Sequence, residues 1–398
     1  MKNGYKKTVN ACFVGYIVQA IINNFLPLLF LTFQRQYDIR LSQITALITI
    51  NFFLQLFVDL ASAVFVDKIG YRTSAVLAHI FSATGLVLLT VLPDLLGNAF
   101  AGILISVVVY AVGGGLIEVL ISPIVEACPT DNKEKAMSLL HSFYCWGCVA
   151  VIGLSTLFFN IFSTDAWKVL ALLWAVIPLC NAFVFSKVPI APLVEDEKNA
   201  KSIKQIFSSK VFWVMCLLMV CAGASEQAVS QWASAFAESG LNVSKTVGDL
   251  AGPMMFAVFM GSARLFYGKF GHKINLKKFM VLSSVLCCVS YCIIGFSQNA
   301  FLGFLGCALC GLSVGIMWPG TFSISASILK GGGTAMFAFL ALAGDLGCML
   351  GPSLVGFSSA RIDDNLKLGI ATAIVFPALM CIVLISMKKL LKNRKNSI

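Results

Sequence analysis

Twelve apolar runs, each close to the length that crosses a bilayer, follow one another along this chain with little between them. A spanning helix needs about 20 apolar residues. The runs fall at about 9–33, 42–66, 74–95, 98–127, 136–161 and 167–187, then at 210–238, 247–267, 279–298, 301–329, 335–358 and 368–387. Lipid offers no partner to a backbone N–H or C=O, so a run of this kind satisfies its own backbone as a helix. Of the 398 residues, 59% are hydrophobic and 12% charged. A soluble domain carries about 25% charged residues. With half that share the chain cannot cover a water-facing surface, and it reads as an all-α integral membrane protein in the lipid bilayer.

The net charge of +11 has a local explanation, because cytoplasmic loops collect Lys and Arg. With the N-terminus inside, only Arg35, Arg40, Lys168, Lys245, Arg361 and Lys367 fall on the outer side. Arg264 lies within helix 8, where its head is expected to snorkel, and the other basic residues fall inside. This bias predicts a multi-pass protein of the cytoplasmic (inner) membrane with both termini cytoplasmic. No basic and aromatic interleaving suggests nucleic acid as a partner. The polar segment around Val194-Glu195-Asp196-Glu197-Lys198 divides the chain. The expected organisation is 1–187 as one six-helix bundle, 188–209 as a cytoplasmic linker, and 210–398 as a second bundle with a basic tail. The first run is too long and too polar for a cleaved signal, with Gln19, Asn23 and Asn24 inside it. The 14 cysteines fall nearly all in apolar runs. Cys307-x-x-Cys310 has no second pair or nearby His, so neither a metal nor a cofactor is expected.

One turn is duplicated. Val64-Phe65-Val66-Asp67-Lys68-Ile69-Gly70-Tyr71-Arg72 returns 201 positions later as Leu265-Phe266-Tyr267-Gly268-Lys269-Phe270-Gly271-His272-Lys273. Each copy ends one apolar run and begins the next. A duplicated short turn means two similar halves, as many transporters are built. Asp67-Lys68-x-Gly70-Tyr71-Arg72 resembles the loop between helices 2 and 3 of the major facilitator superfamily. The resemblance implies twelve helices in two pseudo-symmetric six-helix bundles around a central cavity, acting as a monomer. It also implies that Asp67, Lys68 and Arg72, with Lys269 in the second copy, gate the inner face through contacts with helix ends.

Ionisable groups at membrane depth cost at least about 2.5–3.5 kcal/mol on insertion scales, so each needs a partner, a cavity or a task. Asp59, Glu118, Glu226 and Asp345 look deep. Helix 7 reads Gly223-Ala224-Ser225-Glu226-Gln227-Ala228-Val229-Ser230-Gln231-Trp232, which puts polar groups at four-residue spacing on one side. Interhelical bonding alone would account for such a stripe. Amides and a carboxylate beside an indole also suit a sugar, with its hydroxyls bonded and its apolar face stacked. Helix 2 places Asn51, Gln55 and Asp59 at the same spacing, and helix 1 does so with Gln19 and Asn23. In helix 4, Gly113-Gly114-Gly115 precede Glu118 and allow a close approach or a bend, and Pro123 is expected to weaken the helix beyond. Helix 10 carries Gly311, Gly315, Trp318 and Pro319. Glycine-interrupted helices at matching places in two halves point to a binding site.

His141-Ser142-Phe143-Tyr144-Cys145-Trp146, the helix 4 acid and the helix 7 run together resemble the fucose:proton symporter branch of that superfamily. The branch is known for one membrane acid on helix 4, matched by Glu118, and another on helix 1, where Asn23-Asn24 stand here. The resemblance implies secondary transport of a small polar solute, most simply a sugar, by alternating access with proton coupling. The expected solute-binding residues are Gln19, Asn23, Asn51, Gln55, Glu118, Glu226, Gln227, Gln231, Trp232 and Trp318. The expected proton groups are Glu118, Glu226 and Asp59. The alternative is an exporter of an amphipathic drug or metabolite. No nucleotide site or nucleophile–base set is present, so the expected energy source is a solute or ion gradient and the chain is not read as an enzyme.

Overall fold

Every apolar run forms a helix. The structure is a computed structural model, and it describes residues 3–129, 133–191, 203–329 and 333–395. Among these residues there is no β-strand, and twelve helices are long and apolar enough to cross a membrane. They are α1 (Tyr5–Tyr37), α2 (Leu41–Ser62), α3 (Tyr71–Leu95), α4 (Ala99–Ala127), α5 (Leu139–Phe162), α6 (Thr164–Lys187), α7 (Lys210–Gly240), α8 (Lys245–Phe270), α9 (Leu276–Phe296), α10 (Ala300–Ile328), α11 (Met336–Arg361) and α12 (Leu366–Met387). Phe57, Leu173 and Ile382 are each more than half exposed, as lipid-facing side chains are.

The chain forms two compact units. Met1–Glu195 joins with Val243–Ala257, and Asp196–Asn242 joins with Val258–Ile398. The first unit holds α1 to α6 and the opening turns of α8. The second holds α7, the rest of α8, and α9 to α12. Residues 192–202, half of the expected linker, lie outside the described residues, and Ile203–Phe207 forms a short helix.

Several runs read as continuous are interrupted. In α1, helix to Asn24 gives way to a 3-10 turn at Leu26–Leu29 and resumes at Phe30. Pro27 lies in that turn and has no N–H to continue an α-helix. In α7, the first α-helical stretch ends at Ser230, the Trp232 amide bonds the Val229 carbonyl at 3.1 Å, and a π turn follows at Phe236–Gly240. No Pro or Gly signals this second break. So the opening helix of each unit is discontinuous, which is where transporters place binding groups. α8 carries a π turn at Leu250–Met254, and α10 breaks between Val314 and Met317. By contrast α4 runs unbroken through its glycines and Pro123, contrary to the weakening expected there.

The duplicated turn differs between its copies. The helix containing α2 continues to Ile69, Gly70 alone turns the chain at φ 84°, and α3 begins at Tyr71. That φ excludes most side chains, so the turn needs glycine. In the second copy α8 stays helical to Phe270, and a 3-10 turn at Gly271–Lys273 makes the corner.

Candidate functional site

In the first unit, α1, α2 and α4 bring four of the expected residues together. Gln19 and Asn23 lie one turn apart on α1, and Gln55 faces them from α2. The Gln19 amide nitrogen donates to Gln55 Oε1 at 3.1 Å and to Glu118 Oε2 at 3.3 Å. Gln55 Nε2 in turn donates to Asn23 Oδ1 at 3.1 Å. Gln19, Asn23 and Gln55 are all buried. The approach depends on the glycine run of α4. A Cβ on Gly115 would sit 3.0 Å from the Gln55 Cα, and one on Gly114 would sit 3.3 Å from Gln19 Oε1. Those glycines let α2 lie against α4, as their spacing suggested.

Two acceptors of this cluster have no hydrogen-bond partner. Gln19 Oε1 is one, and Asn51 Oδ1, one turn from Gln55, is the other. Gln19 and Asn51 are 3% and 5% exposed. A buried polar atom without a partner costs about 1–3 kcal/mol, so both oxygens suit a ligand that brings donors. Asp59, a further turn along α2, is half-buried, and one of its carboxylate oxygens lies within 4.8 Å of one of Glu118. Two acids this close repel each other when both are ionised, and an oxygen-only set also suits a hard cation. Neighbouring Asn24 packs elsewhere, donating to Cys148 Sγ on α5.

The second unit has its own polar chain. Gln231 Nε2 donates to Gln227 Oε1 at 3.1 Å, and Gln227 Nε2 reaches Glu226 Oε1 at 3.5 Å. The other oxygen of Glu226 is paired with Arg264 of α8 at 3.1 Å. Arg264 therefore does not snorkel, as its place in the sequence suggested. Its Nε donates to the Gly315 carbonyl at 3.3 Å, at the break in α10. The residue four positions on is Pro319, whose ring nitrogen cannot bond that carbonyl. Arg264 thus ties α7, α8 and α10 together through a carboxylate and a carbonyl that proline leaves open.

The two tryptophans expected to bind solute both lie against α11. Trp232 is fully buried, and its indole N–H donates to the Pro352 carbonyl of α11 at 3.0 Å. In this conformation it holds α7 to α11, because the break after Ser230 turns it into the bundle. Trp318 is half-buried and lies on Gly344 of α11, where a Cβ would come within 2.2 Å of its ring. Asp345, next along α11, is buried.

At the signature turn, one guanidinium nitrogen of Arg72 donates to the carbonyls of Phe185 and Ser186, at 3.1 and 2.8 Å. These are carbonyls of the last turn of α6, where a cation is favoured by the helix dipole. Lys68 is exposed. Lys269 is exposed too and lies over the neighbouring Phe270 ring. The Asp67 side chain lies outside the described residues.

Sequence reasoning missed two buried clusters of the first unit. His79 is fully buried between the Ala75 carbonyl at 2.7 Å and the Asn181 amide at 2.8 Å, and Asn181 also donates to the Ala11 carbonyl. This ties α3, α6 and α1. At the start of α8, Lys245 pairs with the fully buried Asp249 at 3.0 Å and donates to the Leu28 carbonyl in the α1 break at 2.5 Å. Thr156 of α5 also reaches Asp249, at 3.4 Å. The four-residue spacing of Lys245 and Asp249 was the available signal for the second cluster. An isolated His in an apolar run gave none for the first.

Residues 11–352 match the sequence profile of the Major Facilitator Superfamily. No curated protein matches the chain. Among solved structures, a D-xylose-proton symporter is similar at TM-score 0.79 and 12% identity, covering 96% of this chain and 97% of its own. The fucose:proton symporter of E. coli is similar at TM-score 0.64 and 15% identity, covering 96% and 99%. A bacterial homolog of the human lysosomal transporter Spinster is similar at TM-score 0.76 and 12% identity, covering 98% of each chain. At such identities these likenesses establish the fold, and the profile match over most of the chain establishes the family. This multi-pass membrane protein belongs to the Major Facilitator Superfamily of transporters.

Proposed function

We propose that the protein carries a small hydroxylated solute of the sugar class across the cytoplasmic membrane, with both termini on the cytoplasmic side, coupled to protons by alternating access. The observation that carries this reading is the chain Asn23–Gln55–Gln19–Glu118, which ends on a carboxylate close to Asp59. The unpartnered amide oxygens of Gln19 and neighbouring Asn51 accept hydroxyl donors, and Glu118 and Asp59 can pass a proton. Protonation of one acid relieves the repulsion between two carboxylates at that separation. The second acid of the fucose branch has no counterpart on helix 1 here, and Asp59 on α2 supplies one instead. Glu226 serves as a hydrogen-bond acceptor rather than as a proton carrier, because Arg264 already matches its charge. The sugar symporters of similar fold support the choice of solute by analogy.

The test is a thermal-shift screen of sugars, nucleosides and organic acids on the purified protein, with D-xylose and fucose included. Stabilisation by one or more sugars, abolished in Gln19→Leu, supports the reading. Stabilisation confined to amphipathic drugs or to nucleosides contradicts it.

A further inference from the structure

We infer that Glu226 sets the charge preference of this carrier. By occupying Arg264 it makes the polar chain of α7 a site for neutral hydroxylated solutes, and it keeps carboxylate-bearing ones out. This rests on the reading of Glu226, Gln227 and Gln231 as solute-binding groups.

The argument begins with how Arg264 is held. Its Nε is anchored on the Gly315 carbonyl, which Pro319 leaves open within α10. Met260 Sδ also lies 3.8 Å from one terminal nitrogen. These contacts come from α8 and α10 and do not depend on α7. Glu226 takes the terminal edge of the guanidinium from α7, at 3.1 Å. The anchor and the ion pair are therefore separable: loss of the Glu226 charge leaves Arg264 in place with its outer edge presented. The pair is not sealed, since the Arg264 and Glu226 side chains are 19% and 10% exposed.

Charge matching fixes what the native site accepts. Among the described residues of the second unit, the other basic side chains lie outside the spans or in their end turns. Arg264 is thus the cation available at depth there, and it is engaged. A solute carboxylate would meet the fixed negative charge of Glu226 and displace it only by leaving that acid unmatched in a low-dielectric setting. A neutral polyol meets two amides and a carboxylate that accept and donate to hydroxyls at no such cost. Arg binds carboxylates as a planar fork, so the same residue becomes an anion site once Glu226 is neutralised.

The experiment compares the neutral aldoses D-xylose and D-galactose with D-glucuronate and D-galacturonate, which carry a carboxylate on the same ring patterns. Affinities are measured on the purified full-length protein for the native chain, E226Q and E226Q/R264M. The native protein is expected to prefer the aldose. E226Q should gain at least about tenfold in affinity for the matching uronate, about 1.4 kcal/mol, and E226Q/R264M should lose that gain. If E226Q does not purify as folded protein, E226S frees the same guanidinium edge. A native protein that takes aldose and uronate equally overturns the inference, as does a gain that survives R264M or no uronate gain in folded E226Q or E226S. A native protein that binds no sugar defeats the solute reading itself, and this inference falls with it.

Discussion

The Gln19 side chain spends both hydrogens of its amide on acceptors from other helices, reaching Glu118 at 3.3 Å and Gln55 at 3.1 Å. One nitrogen thereby fixes the orientation of an acid on α4 and an amide on α2, and leaves its own oxygen for a ligand. Gln19→Leu keeps the approximate volume and removes all three functions. Each buried group left unmatched costs about 1–3 kcal/mol. We expect solute affinity to fall by at least about tenfold, one energy step of about 1.4 kcal/mol, in a protein that still elutes as a single species. Unchanged affinity by calorimetry would show that the cluster only packs helices.

Coupling and translocation should separate at the acid pair. In Asp59→Asn or Glu118→Gln, proteoliposomes should still exchange labelled for unlabelled solute, because exchange needs no net proton movement. Accumulation against a gradient should be lost. A variant that still concentrates solute would remove that acid from the proton path.

Most of the fold was legible because a bilayer imposes one rule on every spanning segment. Length and polarity located the twelve helices, and the spacing of Gln19 with Asn23 and of Asn51 with Gln55 and Asp59 placed polar groups on shared faces. The glycines before Glu118 correctly marked a close approach. What stayed hidden were relations between distant positions. Nothing near Arg264 in the chain points to Glu226, 38 residues away. Nothing near Trp232 shows that a break after Ser230 turns its ring toward Pro352. Such pairings follow from helix packing, which one sequence does not display.

The two copies of the repeated turn should respond oppositely to the same substitution. Gly70 turns the chain at φ 84°, and Gly70→Ala should destabilise by about 1–3 kcal/mol, the usual cost of a side chain in a disallowed backbone region. Gly268 is helical with nothing within 4 Å of an added Cβ. Gly268→Ala should be neutral or stabilise by up to about 1 kcal/mol, the helix-propensity difference. Melting temperatures in detergent check both, and equal shifts would contradict the different roles.

At the start of α8, Asp249 is fully buried with Lys245 as its cation. Removing one member of a buried pair leaves the other charge unmatched, typically at about 3–5 kcal/mol. Lys245→Met should therefore lower the melting temperature sharply, and Lys245→Met with Asp249→Leu should recover much of the loss. If the double variant melts no higher than the single one, the pair is not acting as a unit.

Solute uptake and external pH, recorded together in vesicles containing the native protein or Glu118→Gln, test the central claim most directly. Adding the sugar identified by the thermal screen should make the medium more alkaline in step with uptake by the native protein. The signal should be unaffected when potassium replaces sodium, and absent in Glu118→Gln. Uptake without alkalinisation, or alkalinisation undiminished in Glu118→Gln, would contradict proton coupling through this cluster.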